Sequence, residues 1–331
     1  MKTIRWGILG TGSIARKFAS DLRFAEGSEL VAVGSRGKKS ADDFAAEFPV
    51  KHCHYSYEEL AGDAEVDVIY IATPHNLHYE NTLLCLNHNK AVLCEKPFAI
   101  NSRQTVEMIA LAKEKKLFLM EARWTKFLPH FIKMQEMVAA GMLGEIKAVL
   151  ANFGFKPLPP VNPRLFDPAL GGGTIMDIGI YNVFMAMAIL GQPDHIDAVM
   201  TPASTGVDEQ CAILFRYKNG AMAQLFSTFS ANLATEVDIS GSNGHRIRLT
   251  SRFYEPSSTI EYYGGGNAEK QIIEVEKGAG GGYNYEAAHV NECLRNGLTE
   301  SPVIPFADTL RLMEILDKIR KLAGVKYPAD L

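Results

Sequence analysis

The chain has 331 residues, 47% hydrophobic and 22% charged, with 28 glycines and 15 prolines; at roughly 150 residues per domain this predicts about two domains, each able to bury its own core. Thirty-four Lys and Arg stand against 38 Asp and Glu, a formal net charge of -4, so no basic field draws in phosphate backbones or anionic lipid, and nucleic acid is not an expected partner. The composition excludes extensive disorder and collagen-like structure, and the longest strongly apolar stretch, residues 183–190, is far short of the roughly 20 a membrane helix needs.

The first residues, Met1-Lys2-Thr3-Ile4-Arg5, run straight into a strand pattern and leave no room for a signal segment, so the cytoplasm is the expected compartment. From Ile4 to Met120 short apolar runs alternate with helical segments, the pattern of a parallel sheet wound with crossover helices. The strands are expected at Ile4–Leu9, 30–33, 66–72, 91–94 and 117–120, each apolar enough to be buried on both faces. Helix formers fill 14–22, 40–47, His78–Asn87 and Ser102–Lys115, with Asn101 or Ser102 as cap of the last. Between the second and third strands lies His52-Cys53-His54. Successive residues of an extended segment turn to opposite sides, so a surface loop with no metal is expected there. Five cysteines, Cys53, Cys85, Cys94, Cys211 and Cys293, form no C-x-x-C pair and are expected as reduced thiols.

After about Arg123 a helix over 128–140 leads to Gly141 and Gly144, and strand-like runs dominate to about residue 276. Asn219-Gly220 between the runs 211–217 and 221–229 predicts a hairpin, and Asn243-Gly244 repeats the device between 235–240 and 246–250. The glycine-rich stretch 278–282 reads as a mobile loop, and helices are expected over 285–296 and 308–323. The predicted fold is therefore α/β: a Rossmann-type doubly wound parallel sheet over 1–122, then an α+β domain with an open, mostly antiparallel sheet over 123–331.

Gly10-Thr11-Gly12-Ser13-Ile14-Ala15 sets G-x-G-x-x-A at the first strand end and directly before a helix, the context that makes this motif a dinucleotide site. Gly10 allows the tight turn, Gly12 lets the backbone approach a pyrophosphate, and Ala15 permits close helix packing. The helix N-terminus then holds the diphosphate. An NAD-binding chain usually carries Asp or Glu about 20 residues further on for the ribose hydroxyls. Here the second strand ends in Ser35-Arg36, with Lys38 and Lys39 close behind. A hydroxyl and a guanidinium can donate to a 2'-phosphate that a carboxylate would repel, so NADP is expected, with NAD the alternative. A solvated surface turn is the structural alternative for the charges. Thr73-Pro74-His75-Asn76-Leu77-His78 and Glu95-Lys96-Pro97 follow the next two strand candidates. Ligands of open α/β sheets sit beyond the carboxyl ends of the strands, which puts Thr73, Pro74, His75, Asn76, His78, Glu95, Lys96 and Pro97 beside the cofactor.

Much later, Gly171-Gly172-Gly173-Thr174 runs into a helix start bearing Asp177 and Tyr181 at i, i+4, one helical face. With the glycine motif, Glu95-Lys96-Pro97 and this segment in order, the whole chain resembles the glucose-fructose oxidoreductase and inositol dehydrogenase family. Tyr181, where many members have histidine, and Glu121-Ala-Arg-Trp124-Thr-Lys-Phe127-Leu-Pro129 are similar to its branch of dimeric dihydrodiol and NADP-dependent D-xylose dehydrogenases. The resemblance implies Lys96, Asp177 and Tyr181 as the catalytic group, and Trp124, Phe127 and Phe153 as pocket walls. It also implies a homodimer through the second sheet. Hydride transfer between an alcohol and a carbonyl needs a group that takes or gives a proton, which a phenol beside an ammonium can do. On residue type alone, Lys96 equally fits a surface turn, Asp177 a favourable helix start, and Tyr181, Trp124 and Phe127 a core. The expected function is an NADP-dependent dehydrogenase or reductase for a sugar or vicinal diol; a non-catalytic NADP-binding sensor of the same fold is the alternative.

Overall fold

The computed structural model describes residues 2–266 and 269–331. The chain divides into two compact units, Met1–Phe127 with Gly278–Met313, and Leu128–Lys277 with Glu314–Leu331. This departs from the expected cut at 122/123, because the segment after the second sheet returns to the first unit. The reason is side-chain anchorage. Trp6 Nε1 donates to Asn291 Oδ1 at 3.1 Å in helix Tyr283–Arg295. Asp21 accepts from Gly281 N at 2.7 Å and from Tyr283 N at 2.9 Å. The stretch 278–282, expected as a mobile loop, is thus tied to the first helix of the chain.

The first unit holds strands β1 (Ile4–Leu9), β2 (Ser28–Gly34), β3 (His52–His54), β4 (Val68–Ile71), β5 (Ala91–Glu95) and β6 (Leu119–Ala122). Helices α1 (Ser13–Leu22), α2 (Lys38–Glu47), α3 (Tyr57–Gly62), α4 (His78–Asn87) and α5 (Ser102–Lys115) connect them. The spatial order is β3-β2-β1-β4-β5-β6, all parallel. Chain direction across the sheet reverses between β1 and β4, and open α/β sheets take ligands beyond the strand ends at such a point. The strand cores are buried on both faces, with Trp6, Ile8, Val33, Ile69, Ile71 and Leu93 at 2% exposure or less; each large apolar side chain taken from water contributes about 1.5–3 kcal/mol. Helix α5 starts as expected at Asn101, whose side chain accepts from Gln104 N at 3.0 Å, while Gln104 Oε1 accepts from Ile100 N at 3.0 Å. One expectation fails: His52–His54 is an edge strand pairing with Ala32–Gly34, not a loop.

The second unit is built on helices α6 (Pro129–Ala139) and α7 (Ile180–Leu190) and on strands β7 (Ile146–Gly154), β8 (His195–Pro202), β9 (Asp208–Arg216), β10 (Met222–Thr228), β11 (Val237–Gly241), β12 (Arg246–Leu249), β13 (Ile260–Tyr263) and β14 (Lys270–Ile273). Their order is β14-β13-β12-β11-β7-β10-β9-β8. Every neighbouring pair is antiparallel except β7 and β10, which run parallel at the centre. Helix α7 packs on β7 and β10. Alternation sets Val149, Ala151 and Phe153 inward, and leaves Leu150, Val199 and Met222 exposed on the other face. The most apolar 18 residues within Pro168–Leu190 have mean hydropathy 1.6, a longer apolar segment than the run read from sequence, and 72% of them are buried inside the protein. Such burial marks a core helix.

Candidate active site

In the first unit the glycine motif forms the turn from β1 to α1. Gly10 has φ +105°, and a Cβ there would lie 2.9 Å from the Ala72 carbonyl oxygen after β4, so only glycine lets the two strand ends approach. Around Gly12 a Cβ would meet nothing within 4 Å, and Gly12 begins α1 without a side-chain cap. Thr11, Ser13 and Ile14 complete this partly exposed rim, while Ala15 is fully buried against the sheet. Uncapped N–H groups facing open space fit an anionic ligand such as a diphosphate.

At the end of β2, Ser35 is buried and its hydroxyl lies 2.8 Å from Ser40 Oγ. The exposed charges divide. Lys38 and Lys39 pair with Asp42 and Asp43 one turn on, at 3.3 and 2.6 Å. Arg36 instead lies over the Tyr57 ring at 5.7 Å and forms no ion pair among the described residues.

Thr73 and Pro74 lead from β4 into a 3-10 turn, His75–Leu77, and then α4. His75 and His78 are buried, their rings 5.8 Å apart edge to face. His78 bridges two loops, with Nε2 at 2.9 Å from the Thr73 carbonyl and Nδ1 at 2.8 Å from the Pro97 carbonyl. Asn76 Oδ1 is buried without a partner among the described residues, a polar atom still available to a ligand. After β5, Glu95 accepts from Tyr70 OH and, at 3.1 Å, from Lys96 N. Burial pushes the Glu95 carboxyl up against the opposing pull of Lys96. Lys96 itself is half-buried and precedes Pro97 through a cis peptide bond.

Trp124 and Phe127 also belong to the first unit. Trp124 is 4% exposed and stacks on Tyr283 at 4.3 Å, and Phe127 lies 4.9 Å from the His289 ring. Within β6, Glu121 is buried at 2.9 Å from Arg123 Nε and accepts from Thr309 Oγ1 at 3.0 Å. Tyr283 and helix Tyr283–Arg295 were invisible as partners of this segment in sequence.

The second unit gathers the other predicted residues. The three glycines are each required by geometry. Gly171 ends a 3-10 turn at φ +71°. A Cβ on Gly172 would sit 2.7 Å from the Arg164 carbonyl, and Tyr327 OH donates to the Gly172 carbonyl at 2.5 Å. Gly173, at φ +106°, would drive a Cβ to 2.3 Å from Asp208 Oδ1. The buried Asp208 accepts from Thr174 Oγ1 at 2.6 Å and Ile175 N at 2.7 Å. Burial outweighs those hydrogen bonds and pushes its carboxyl up to about 6.

The residues that follow are not a plain helix start. Ile175–Gly179 is one π-helical turn, and α7 begins only at Ile180. Such widened turns recur at functional sites and break the α-helical i, i+4 register assumed between Asp177 and Tyr181. Asp177, 9% exposed, pairs with Arg164 at 3.2 Å. The Tyr181 ring packs 5.7 Å from Phe153 and 5.1 Å from Tyr254, and Phe153 stacks on Tyr254 at 4.4 Å. Arg164, Asp208 and Tyr254 carried no sequence signal, since each meets its partner only through tertiary folding.

Residues 4–122 match the model of an oxidoreductase family with an NAD-binding Rossmann fold, and residues 131–246 match the GFO/IDH/MocA C-terminal domain. Trans-1,2-dihydrobenzene-1,2-diol dehydrogenase from Bos taurus is 39% identical over 99% of both chains. The chain belongs to the GFO/IDH/MocA oxidoreductase family. As a member it is a nicotinamide-dependent dehydrogenase or reductase. The human protein named trans-1,2-dihydrobenzene-1,2-diol dehydrogenase is 38% identical over 99% of both chains. Among solved structures, aldose-aldose oxidoreductase from Caulobacter crescentus, complexed with glycerol, aligns at TM-score 0.89 with 25% identity over 98% of both chains. A 3-ketoreductase from Actinomadura kijaniata, in complex with NADP and TDP-benzene, aligns at 0.85 with 26% identity, covering 98% of this chain and 99% of its own.

Proposed function

We propose that this family member is an NADP-dependent oxidoreductase that moves hydride between nicotinamide C4 and the CH–OH or C=O carbon of a vicinal dihydrodiol or a sugar. The observation that carries the proposal is Tyr181: a phenol packed among aromatic rings two residues after the π-turn of Asp177, in a chain 39% identical over 99% of its length to a dihydrodiol dehydrogenase. The nicotinamide, when bound, supplies the hydride, and the protein positions and protonates. Tyr181 gives a proton to the forming alcohol oxygen in reduction and takes it in oxidation. The family resemblance makes Lys96 the cation of this catalytic group, a charge of the sign that favours a phenolate. Asp177, held by Arg164, orients a substrate hydroxyl. Phe153 presents an aromatic face to the apolar side of a ring substrate, and the family resemblance adds Trp124 and Phe127 as wall residues.

NADP is preferred because Ser35 and Arg36 supply donors and no carboxylate stands at the end of β2. The uncapped start of α1 at Gly12, with Thr11, Ser13 and Ile14, takes the diphosphate, and Thr73 through His78 with Glu95, Lys96 and Pro97 frames the nicotinamide side. Leu150, Val199 and Met222 leave an apolar patch on the outer face of the second sheet, which a second copy covers in a homodimer. All five cysteines are free thiols, in keeping with work in the cytoplasm. Turnover of NADP(H) with a panel of dihydrodiols and sugars tests the reading. Tyr181→Phe should lower kcat by about 100-fold or more while NADPH Kd stays within twofold. Tight NADPH binding with no turnover on any member of the panel would replace the enzyme by a sensor, and light scattering that finds only monomer would remove the dimer.

A further inference from the structure

The geometry points to a divalent transition-metal site on the edge strand β3, formed by His52 Nδ1, His54 Nε2 and Asp63 Oδ2. The two histidines are two apart on one strand, so they share a face, while Cys53 between them turns away to lie 3.8 Å from Asp42 on α2. Asp63 closes the group from the C-terminal end of α3. Its Oδ2 is 2.6 Å from His52 Nδ1 and 2.8 Å from His54 Nε2, and the three donor atoms lie within 4.8 Å of one another. A tetrahedral ion with bonds of about 2.0–2.1 Å spaces its ligand atoms about 3.3 Å apart. To admit one, each ring has to move about 0.5–0.7 Å away from Asp63 Oδ2, and the two ring nitrogens, within 4.8 Å of each other, have to close by up to about 1.5 Å.

The surroundings are already arranged for this. Asp63 Oδ1 accepts from Glu65 N at 2.8 Å, which fixes the carboxylate with Oδ2 towards the imidazoles. Lys90 donates to the Asp63 and Val66 carbonyls, holding the loop from inside the fold. The other ring nitrogen of His52, Nε2, faces Glu65 Oε1 at 3.7 Å. A carboxylate behind a metal-bound imidazole orients the ring and raises its basicity. The Glu65 carboxylate is steadied in turn by Lys51 on its other oxygen. Asp63 is 5% exposed but the imidazoles are 29% and 21% exposed, so the ion has a route in and water completes its coordination. Two imidazoles and one carboxylate suit Zn2+, Co2+, Ni2+ or Cu2+ rather than Mg2+ or Ca2+. The site borders the cofactor half of the fold: the His54 carbonyl accepts from Ser35 N at 3.2 Å.

The test uses the full chain, freed of metal with a chelator and titrated with Co2+ by visible absorption and with Zn2+ by calorimetry. One equivalent per chain should bind, with the ligand-field spectrum of four- or five-coordinate Co2+, and Mg2+ in large excess should not compete. The double variant His52→Asn/His54→Asn should lose this binding by at least about tenfold, and Glu65→Gln should weaken it by about tenfold. Chelator-treated variants are compared with the parent by circular dichroism, so that misfolding is recognised. Should the double variant fail to fold, imidazole NMR of the wild type decides: Zn2+ should perturb two of the nine histidine rings, those of His52 and His54. Absence of saturable binding, binding unchanged in the folded double variant, or perturbation of other rings alone would each overturn the site.

Discussion

Replacing Gly173 by alanine should destabilise the second unit by far more than a backbone penalty. Two costs combine. At φ +106° a residue with a Cβ is strained by about 1–2 kcal/mol. The new methyl would also stand 2.3 Å from Asp208 Oδ1 and 3.2 Å from its Cγ, so the carboxylate has to retreat by about 1 Å to reach ordinary contact. Its other oxygen holds Thr174 Oγ1 and Ile175 N at 2.6 and 2.7 Å. Hydrogen bonds to a charged group are worth about 1.5–3 kcal/mol each, so weakening both brings the total to roughly 3–6 kcal/mol. For a unit of this size that lowers Tm by at least about 6 °C. Gly206→Ala is the matched control, because φ is +90° there but a Cβ meets nothing within 4 Å; it should cost only the backbone share of about 1–2 kcal/mol. Urea titrations and thermal melts of the two variants read the difference. Equal losses in both would refute the collision argument and leave Gly173 as a turn residue only.

Gly12→Ala should leave Tm within about 1 °C, since its Cβ enters open space, yet weaken NADPH by about tenfold or more by filling the approach to the diphosphate; fluorescence titration reads this. Arg36→Ala should raise the Kd of NADPH by about 10–100-fold, one charged hydrogen bond or more, and leave that of NADH nearly unchanged, and equal shifts would remove the phosphate role. Asp208 gives a pH dependence with a definite sign. Its folded-state value of about 6 lies above the ordinary 3.8, so its contribution is full below about pH 4 and is lost as pH rises through 6. Asp208→Asn removes that slope. Relative to wild type the variant should therefore gain about 2 kcal/mol between pH 4 and pH 7 in urea titrations, and a constant difference would place the carboxyl at its ordinary value.

The sequence by itself determined what depends on neighbours a few residues away. Runs such as Ile4–Leu9, with glycines at 10 and 12 before a helix, specify a buried parallel strand and an open phosphate-type turn because pleat, helix period and glycine geometry are local. The Asn101 cap was legible for the same reason, and so were the two Asn-Gly turns. Tertiary structure alone decided what depends on partners distant in the chain. Asp208 is 34 residues from Thr174, and Asp21 is 262 from Tyr283, so no periodicity could announce that one holds the π-turn of Asp177 or that the other draws the glycine-rich stretch back to the first unit. The same holds for His52-Cys53-His54. Alternation correctly set neighbours apart, but the sharing of one face by His52 and His54 acquired meaning only when folding brought Asp63 against them.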